Sequence, residues 1–396
     1  MSLKRHRILY VELPGVVGGT VTGLYELVRH LDTSRYEPMV LFHKANHPYR
    51  QPFDDIGVKV LSLGEQIQPP RTPKSAIAKF QHRVERASWA ASVVARTASL
   101  IKREKIDLVH HNDNLPKDRY TVMAAKLANV RQICHIRTLK GLSSFDRRLA
   151  GGVDQFIYMS KAIETVYREA GIPAAQGKVV YDGFNSTVYE QFDPNDVAAL
   201  RAEFGVSDDD WLISNVGRLD NWKGQDYFLE AIAEVVKSHP NLKALLVGAP
   251  ESTPWNQAYY QKLKQLVVDL DLANHVVFTG YRSDIPRILA ASDIMVHSAS
   301  LPEPFGRVVV EGMLAGCPVI ATAAGGVLDS VDDHETGLLV PPKDAIGMAK
   351  AIMWLLQDRE RSKLMGQRAR QRAEQRFSVS QHIAAVEAIY ETLLVV

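Results

Sequence analysis

Short runs of β-branched and aliphatic residues alternate along the whole chain with longer stretches whose apolar positions recur at helical spacing. An apolar run of this length, closed by turn residues and followed by a helical pattern, marks a strand buried on both faces of a parallel sheet. The pattern predicts seven strands in the first half, at 7–12, 39–43, 59–63, 107–111, 132–136, 155–159 and 178–181. It predicts six in the second half, at 211–216, 243–247, 275–279, 293–297, 318–321 and 337–340. The stretch 182–205 between them is polar and turn-rich. The chain therefore reads as two doubly wound α/β domains, 1–190 and 191–378, which bind ligands between them at the carboxyl ends of their strands. A final amphipathic helix within 379–396 carries Ile383, Val386, Tyr390, Leu393 and Leu394 on one side, and the pattern does not say which domain it covers.

Composition narrows this picture. The 396 residues are 46% hydrophobic and 23% charged, an ordinary globular balance that excludes disorder and coiled coil. A formal net charge of +2 gives no electrostatic case for a nucleic-acid partner. Two cysteines, Cys134 and Cys317, cannot build a disulfide framework or a structural zinc site, so a reduced, cytoplasmic protein is expected. No apolar stretch approaches the roughly 20 residues of a spanning helix. The basic start, Lys4 to Arg7, precedes an apolar run too short for a signal-peptide core, which reads as the first strand.

Four segments carry candidate chemistry. Gly217-Arg218-Leu219-Asp220-Asn221-Trp222-Lys223-Gly224 follows the strand 211–216. Its two cations suit a departing diphosphate, Arg218 through bidentate contact and Lys223 as a point charge. Next, Glu303-Pro304-Phe305-Gly306-Arg307-Val308 leads into a predicted helix ending at Gly316, with Glu311 on it. Unpaired N–H groups at 305–308 form an anion or hydroxyl site at the helix start. Glu303 and Glu311, eight residues apart, are too distant for a nucleophile and acid pair, and suit separate parts of one extended ligand. A glycine pair, Gly325-Gly326, permits close approach of backbone. Finally, Pro14 to Thr20, with Gly18 and Gly19, forms a glycine loop after the first strand without the dinucleotide-binding spacing. His110, His111 and His135 sit at first-half strand ends, where sugar contacts and structural roles are equally open. Asp208-Asp209-Asp210 matches the D-x-D pattern of metal-dependent sugar transferases but precedes its strand, so it reads as a solvated turn, and no essential metal is expected.

Taken together and in order, these segments and Thr336-Gly337-Leu338-Leu339-Val340 resemble the retaining GT-B glycosyltransferases of family four, or group 1. The resemblance implies two Rossmann-like domains facing across a cleft, with the last helix crossing back to the N-terminal, acceptor-binding domain. It implies transfer of a sugar from a UDP- or GDP-linked donor to an acceptor hydroxyl in glycan, polysaccharide or glycolipid synthesis, with retention of configuration and no cofactor. Arg218 and Lys223 would hold the diphosphate. Glu303 and the backbone of Phe305, Gly306, Arg307 and Val308 would contact donor sugar and phosphate, and Glu311 the ribose. Tyr281 and Arg282 would lie near the base, Gly18 and Gly19 near the diphosphate and acceptor, and His135 beside the reacting sugar. Three stretches depart from the family pattern. The usual Asn-Gly-x-Asp is Asp182-Gly183-Phe184-Asn185, and His135 is followed by Ile136-Arg137-Thr138. The usual Gly-Gly-x-Pro-Glu is Gly325-Gly326-Val327-Leu328-Asp329. A GT-B-fold sugar-nucleotide epimerase, or a sugar-nucleotide-binding protein without turnover, would share the donor residues and stays open. The stretch 71–105 reads as a basic amphipathic helix with Lys79, His82, Arg83 and Arg86 on one face and Ile77, Phe80, Val84, Ala87 and Ala91 opposite. It is either an ordinary surface helix or a peripheral contact with the inner face of a membrane.

Overall fold

The computed structural model describes residues 5–12, 18–43, 45–63, 76–190, 192–207 and 209–394, with the backbone alone for 76–82. The chain divides into two units, Met1–Gly183 with Val379–Val396, and Phe184–Ser378.

The first unit holds a seven-stranded parallel sheet of β1 His6–Glu12, β2 Tyr36–Phe42, β3 Lys59–Ser62, β4 Leu108–His111, β5 Arg131–Ile136, β6 Gln155–Tyr158 and β7 Gly177–Val179. Their order is β3-β2-β1-β4-β5-β6-β7. Alternate residues of β1 feed two separate cores, as a strand's period of two requires. Ile8 and Tyr10 pack with Val21, Leu24 and Leu27 of the helix Gly19–His30 and with Val386 and Tyr390 of the final helix. Leu9 and Val11 pack on the other side with Val93, Leu100 and Ile101 of the helix Ala76–Arg103.

The second unit repeats the plan with β8 Trp211–Val216, β9 Leu242–Val247, β10 Val276–Gly280, β11 Ile294–His297, β12 Val319–Thr322 and β13 Leu338–Val340. Their order is β10-β9-β8-β11-β12-β13. From β8 the chain steps outward through β9 and β10, then returns to the opposite side with β11. The β8/β11 boundary is thus the topological switch point of this sheet, as β1/β4 is of the first. Ile213 faces Phe228 and Ile232 on one side, and Leu212 faces Leu200 and Ile288 on the other.

Two helices refine the expectations. The final helix, Val379–Leu394, belongs to the first unit, burying His382 and Ile389 as well as Ile383, Val386 and Tyr390. In the helix Ala76–Arg103, Val84, Ala87 and Ala91, on the apolar side of the expected amphipathic helix, are exposed, as are Arg83 and Arg86. The packed face is set instead by Val93, Thr97, Leu100 and Ile101. Residues 71–75 and the side chains of Ile77, Lys79, Phe80 and His82 lie outside the described residues. Among the described residues no helix is long and apolar enough to cross a membrane.

Candidate functional site

The second unit's switch point gathers three strand-end loops. After β8 the chain passes through Arg218 into a 3-10 turn, Asn221–Lys223, closed by Gly224 in the left-handed region (φ 66°). After β11 it continues through Ser298 and Ser300 to Glu303. The two loops are laced together. Ser298 Oγ donates to Lys223 O at 2.9 Å, Ser300 N to Trp222 O at 2.8 Å, and Asn215 Nδ2 to Ser298 Oγ at 2.9 Å. A Cβ on Gly224 would lie 2.1 Å from Ser298 O, so only glycine lets them approach this closely.

The third loop follows β12. Gly326 N donates to Glu303 O at 2.8 Å, and Glu303 forms a parallel bridge with Gly325. A Cβ on Gly325 would meet Glu303 O at 2.1 Å, and one on Gly326 would meet Pro304 O at 2.4 Å. The glycine pair therefore seats the backbone of Glu303, which spacing alone did not show.

These contacts bring the Lys223 ammonium onto Glu303 Oε1 as a largely buried ion pair. Lys223 Nζ also lies 4.2 Å from the centre of the Trp222 ring. His297 Nε2 approaches Glu303 Oε1 at 3.3 Å from the end of β11. Burial by itself would raise the Glu303 carboxyl, but the Lys223 ammonium and the His297 ring outweigh it and hold the pKa down at about 2. Glu303 is a fixed anion at neutral pH.

Beyond Glu303 the helix Arg307–Leu314 begins, with Gly306 at its N-cap in the left-handed region (φ 85°). Arg307 lies over the Phe184 ring at 4.5 Å. Phe305 is buried, stacked against Phe184 with centroids 6.3 Å apart, and Val308 is half-buried. Glu311, on the same helix, has no hydrogen-bond partner among the described residues. Burial raises its carboxyl above the ordinary value of 4.5, opposed by Arg307. An acid left without a partner in a desolvated place is suited to accept hydroxyl donors from a ligand.

Not every expected residue joins this cluster in the same way. Arg218 is half-exposed and ion-paired with Glu251 and Asp220. Tyr281 is 79% exposed. Arg282 is turned to its own chain, donating to Asp284 at 2.8 and 2.7 Å and to Glu203 at 2.6 Å. Asp209 and Asp210 precede β8, with Ser207 N donating to Asp210 Oδ2 at 2.8 Å, and Asp208 lies outside the described residues.

In the first unit Gly18 caps the helix Gly19–His30, and 14–17 lie outside the described residues. His110, His111 and His135 are all fully buried. His110 bridges Tyr390 Oη at 2.7 Å and His135 Nδ1 at 3.3 Å, while His111 sits between Gln132 and Thr121. Burial lowers the pKa of all three, that of His111 to about 4. Beside them Arg137 donates to Asp182 Oδ1 at 2.6 Å and to Asn112 Oδ1 at 2.7 Å, both partners of the ion pair being buried. Arg137 and Asp182, two departures from the family pattern, thus compensate each other. Sequence reading missed this pair because its members lie 45 residues apart, and missed His297 because it reads as the last residue of an apolar strand.

The family model described as Glycosyltransferase Family 4 matches residues 17–188, and that described as Glycosyl transferases group 1 matches residues 196–372. An N-acetyl-alpha-D-glucosaminyl L-malate synthase of Bacillus anthracis is 25% identical over 312 residues, 76% of this chain and 79% of that one. A D-inositol 3-phosphate glycosyltransferase of Mycobacteroides abscessus is 36% identical over 180 residues, 45% of this chain and 38% of that one. Among solved structures, Anabaena HepE in complex with UDP superposes with a TM-score of 0.82 at 27% identity, covering 98% of this chain and all of the other. The same protein in complex with UDP-glucose gives 0.81 at 26% identity, covering 98% and 99%.

Proposed function

The chain belongs to the group 1 glycosyltransferases of family four, and on that footing we propose that it moves a sugar from a nucleoside-diphosphate sugar to an acceptor hydroxyl with retention of anomeric configuration. The observation that carries this reading is the Lys223–Glu303 pair at the carboxyl edge of the second sheet. A cation recognises phosphate and a carboxylate accepts from hydroxyls. Held side by side, they fit a ligand in which a phosphate is joined directly to a hydroxylated ring.

In this reading Arg218 and Lys223 neutralise the diphosphate, and the N–H groups at 305–308 add donors to it. Glu303 accepts from sugar hydroxyls, Glu311 from the ribose, and the exposed Tyr281 ring lies against the base. The bond from the anomeric carbon to the diphosphate oxygen breaks as the acceptor oxygen bonds to the same face of that carbon. The departing diphosphate oxygen takes the acceptor proton. His135 is fully buried, and its Nε2, which has no hydrogen-bond partner among the described residues, is the atom that would meet the reacting sugar. UDP is the nucleotide we favour, because the Anabaena protein is solved with UDP and UDP-glucose.

Incubation with UDP-glucose and a panel of glycan, glycolipid and small-molecule acceptors tests the proposal. The expected products are UDP and an α-linked glycoside, read by the anomeric proton coupling, with the rate unchanged by EDTA. Isomerised donor would establish an epimerase instead, and binding without any product a silent sugar-nucleotide-binding protein. A β-linked product would remove the retaining mechanism.

A further inference from the structure

The second unit contains a side-chain chain that its motifs do not announce: Thr322, His297, Glu303 and Lys223, running inward to outward across three strand ends. His297 ends β11 and pairs in register with Ala321 of β12, which places Thr322 one residue further on the neighbouring strand. Thr322 Oγ1 lies 3.3 Å from His297 Nδ1, and His297 Nε2 lies 3.3 Å from Glu303 Oε1. Both His297 and Glu303 are almost entirely buried, while Lys223 reaches partly into solvent.

The geometry points to His297 as the positioning residue of Glu303, with Thr322 holding the ring. Resting on the donor reading above, this assigns to His297 the alignment of the carboxylate that meets the donor sugar. An ionised carboxylate only accepts hydrogen bonds, so the proton on this contact must belong to His297 Nε2. The Thr322 hydroxyl both donates and accepts, so it serves Nδ1 whether that nitrogen is bare or protonated. The Nε2–H bond to Glu303 therefore persists in either charge state of the ring. The bond matters most when a donor draws Lys223 onto phosphate. Glu303 then loses part of its ion pair, and His297 keeps the carboxylate from swinging out of line. The histidine acts on the sugar end of the ligand through Glu303 and makes no demand on the nucleotide.

Nitrogen-15 spectra of the imidazoles, combined with turnover of UDP-glucose read as UDP release, decide the matter. The ring of His297 is expected to carry a proton on Nε2, with that nitrogen's signal displaced by Glu303→Gln. In His297→Leu, turnover of UDP-glucose should fall about 10- to 100-fold while UDP itself binds within about threefold of the unaltered chain. His297→Gln, whose amide N–H still reaches the carboxylate, should recover most of that loss. An unprotonated Nε2, or a signal indifferent to Glu303→Gln, would overturn the proposal. Equal loss in the Leu and Gln variants, or an equal loss of UDP binding, would reduce His297 to a packing residue and overturn it as well. If the unaltered chain bound neither UDP nor UDP-glucose, the donor reading would fail, and the spectra alone would decide the His297–Glu303 bond.

Discussion

At the carboxyl edge of the first sheet, Arg137 directs its donors to Asp182, Asn112 and the flank of His135, and Glu12 accepts from Asn112 at 2.5 Å and Thr20 at 3.4 Å. At the same edge of the second sheet, the buried Glu303 is held by Lys223, which reaches partly into solvent, Glu311 has no hydrogen-bond partner among the described residues, and Tyr281 is open to solvent. The strand plan is shared, yet the electrostatic outcome is opposite. Burial raises Glu12 to about 7, lowers His111 to about 4, and is overridden at Glu303, which falls to about 2. The first edge stores polar groups most of whose partners are internal, the exception being His135 Nε2, which is buried with no hydrogen-bond partner among the described residues. The second holds charges whose best remaining partners come from outside. Polar residues at a strand end mark a binding site only where internal partners leave capacity unused.

The largest effect that would break this contrast lies in the first unit. Because Arg137 and Asp182 are both buried, Arg137→Met leaves a carboxylate stranded, and a loss of about 3–5 kcal/mol is expected. Denaturant titration measures it. Arg137→Met with Asp182→Asn should recover most of the loss, since neither remaining group is then ionised. A single Arg137→Met change that left stability untouched would show the pair to be incidental.

In the second unit the expected loss is in rate. Lys223→Ala and Arg218→Ala should each lower turnover by about 10²–10³-fold, the usual weight of one preorganised charge in a reaction that releases an anion. Initial rates with UDP-glucose read this directly. Arg218 is paired with Asp220 and Glu251, but its side chain stays 42% exposed, against 22% for Arg282, and leaves guanidinium N–H groups for phosphate. Near-normal rates in both variants would remove the diphosphate role and with it the distinction between the edges.

A smaller effect separates the two edges by pH. Glu12 holds its proton more tightly folded than unfolded, where its ordinary value is 4.5. As pH rises from about 4.5 to about 7, the unfolded chain releases this proton first, so the Glu12 contribution to stability declines across that window and is flat above it. His111 runs the other way, because its folded value lies below 6.5, so its contribution grows as pH rises from about 4 to 6.5. The difference between the unaltered chain and Glu12→Gln isolates the first term. The variant should gain relative stability across pH 4.5–7, by up to about 3 kcal/mol. A constant difference over that range would show that Glu12 does not titrate there.

All thirteen strands were legible in the sequence, the inner ones because a strand buried on both faces must be continuously apolar, the partly exposed edge strands β3 and β7 by their place in the strand–helix alternation. Lys223, Glu303 and the glycine pair were legible because each lies in a short segment beside a strand end. The state of His110 and His135 was not, because a strand-end histidine looks the same whether it faces solvent or Tyr390. Arg137 and Asp182 read as two unrelated departures, being 45 residues apart until β5 and the stretch after β7 bring them together. His297 was hidden in another way: Glu303 is only six residues on, but the loop that folds the carboxylate back onto the end of β11 is held by Gly325 and Gly326 after β12.

The smallest effects sharpen the comparison within the second unit itself, at the two residues that follow Gly280. Arg282 resembles the first edge: its guanidinium is met on two sides by Asp284 and by Glu203, and it lies 5.8 Å from the Phe204 ring. Tyr281 has no such engagement among the described residues and stands 79% exposed. If internal satisfaction is what separates structure from site, adjacent residues of one loop should answer differently to the same change. Arg282→Ala should cost about 1 kcal/mol of stability and leave UDP affinity within about twofold, since partly exposed ion pairs contribute little. Tyr281→Ala should leave stability unchanged and weaken UDP by about fivefold, the scale of one ring stacked on a base. Calorimetric titration with UDP beside thermal unfolding reads both quantities on both variants. The reverse assignment, with Arg282 governing UDP and Tyr281 silent, would mean that Arg282 exchanges its carboxylate partners for the ligand. Internal pairing in the ligand-free chain would then no longer tell the two edges apart.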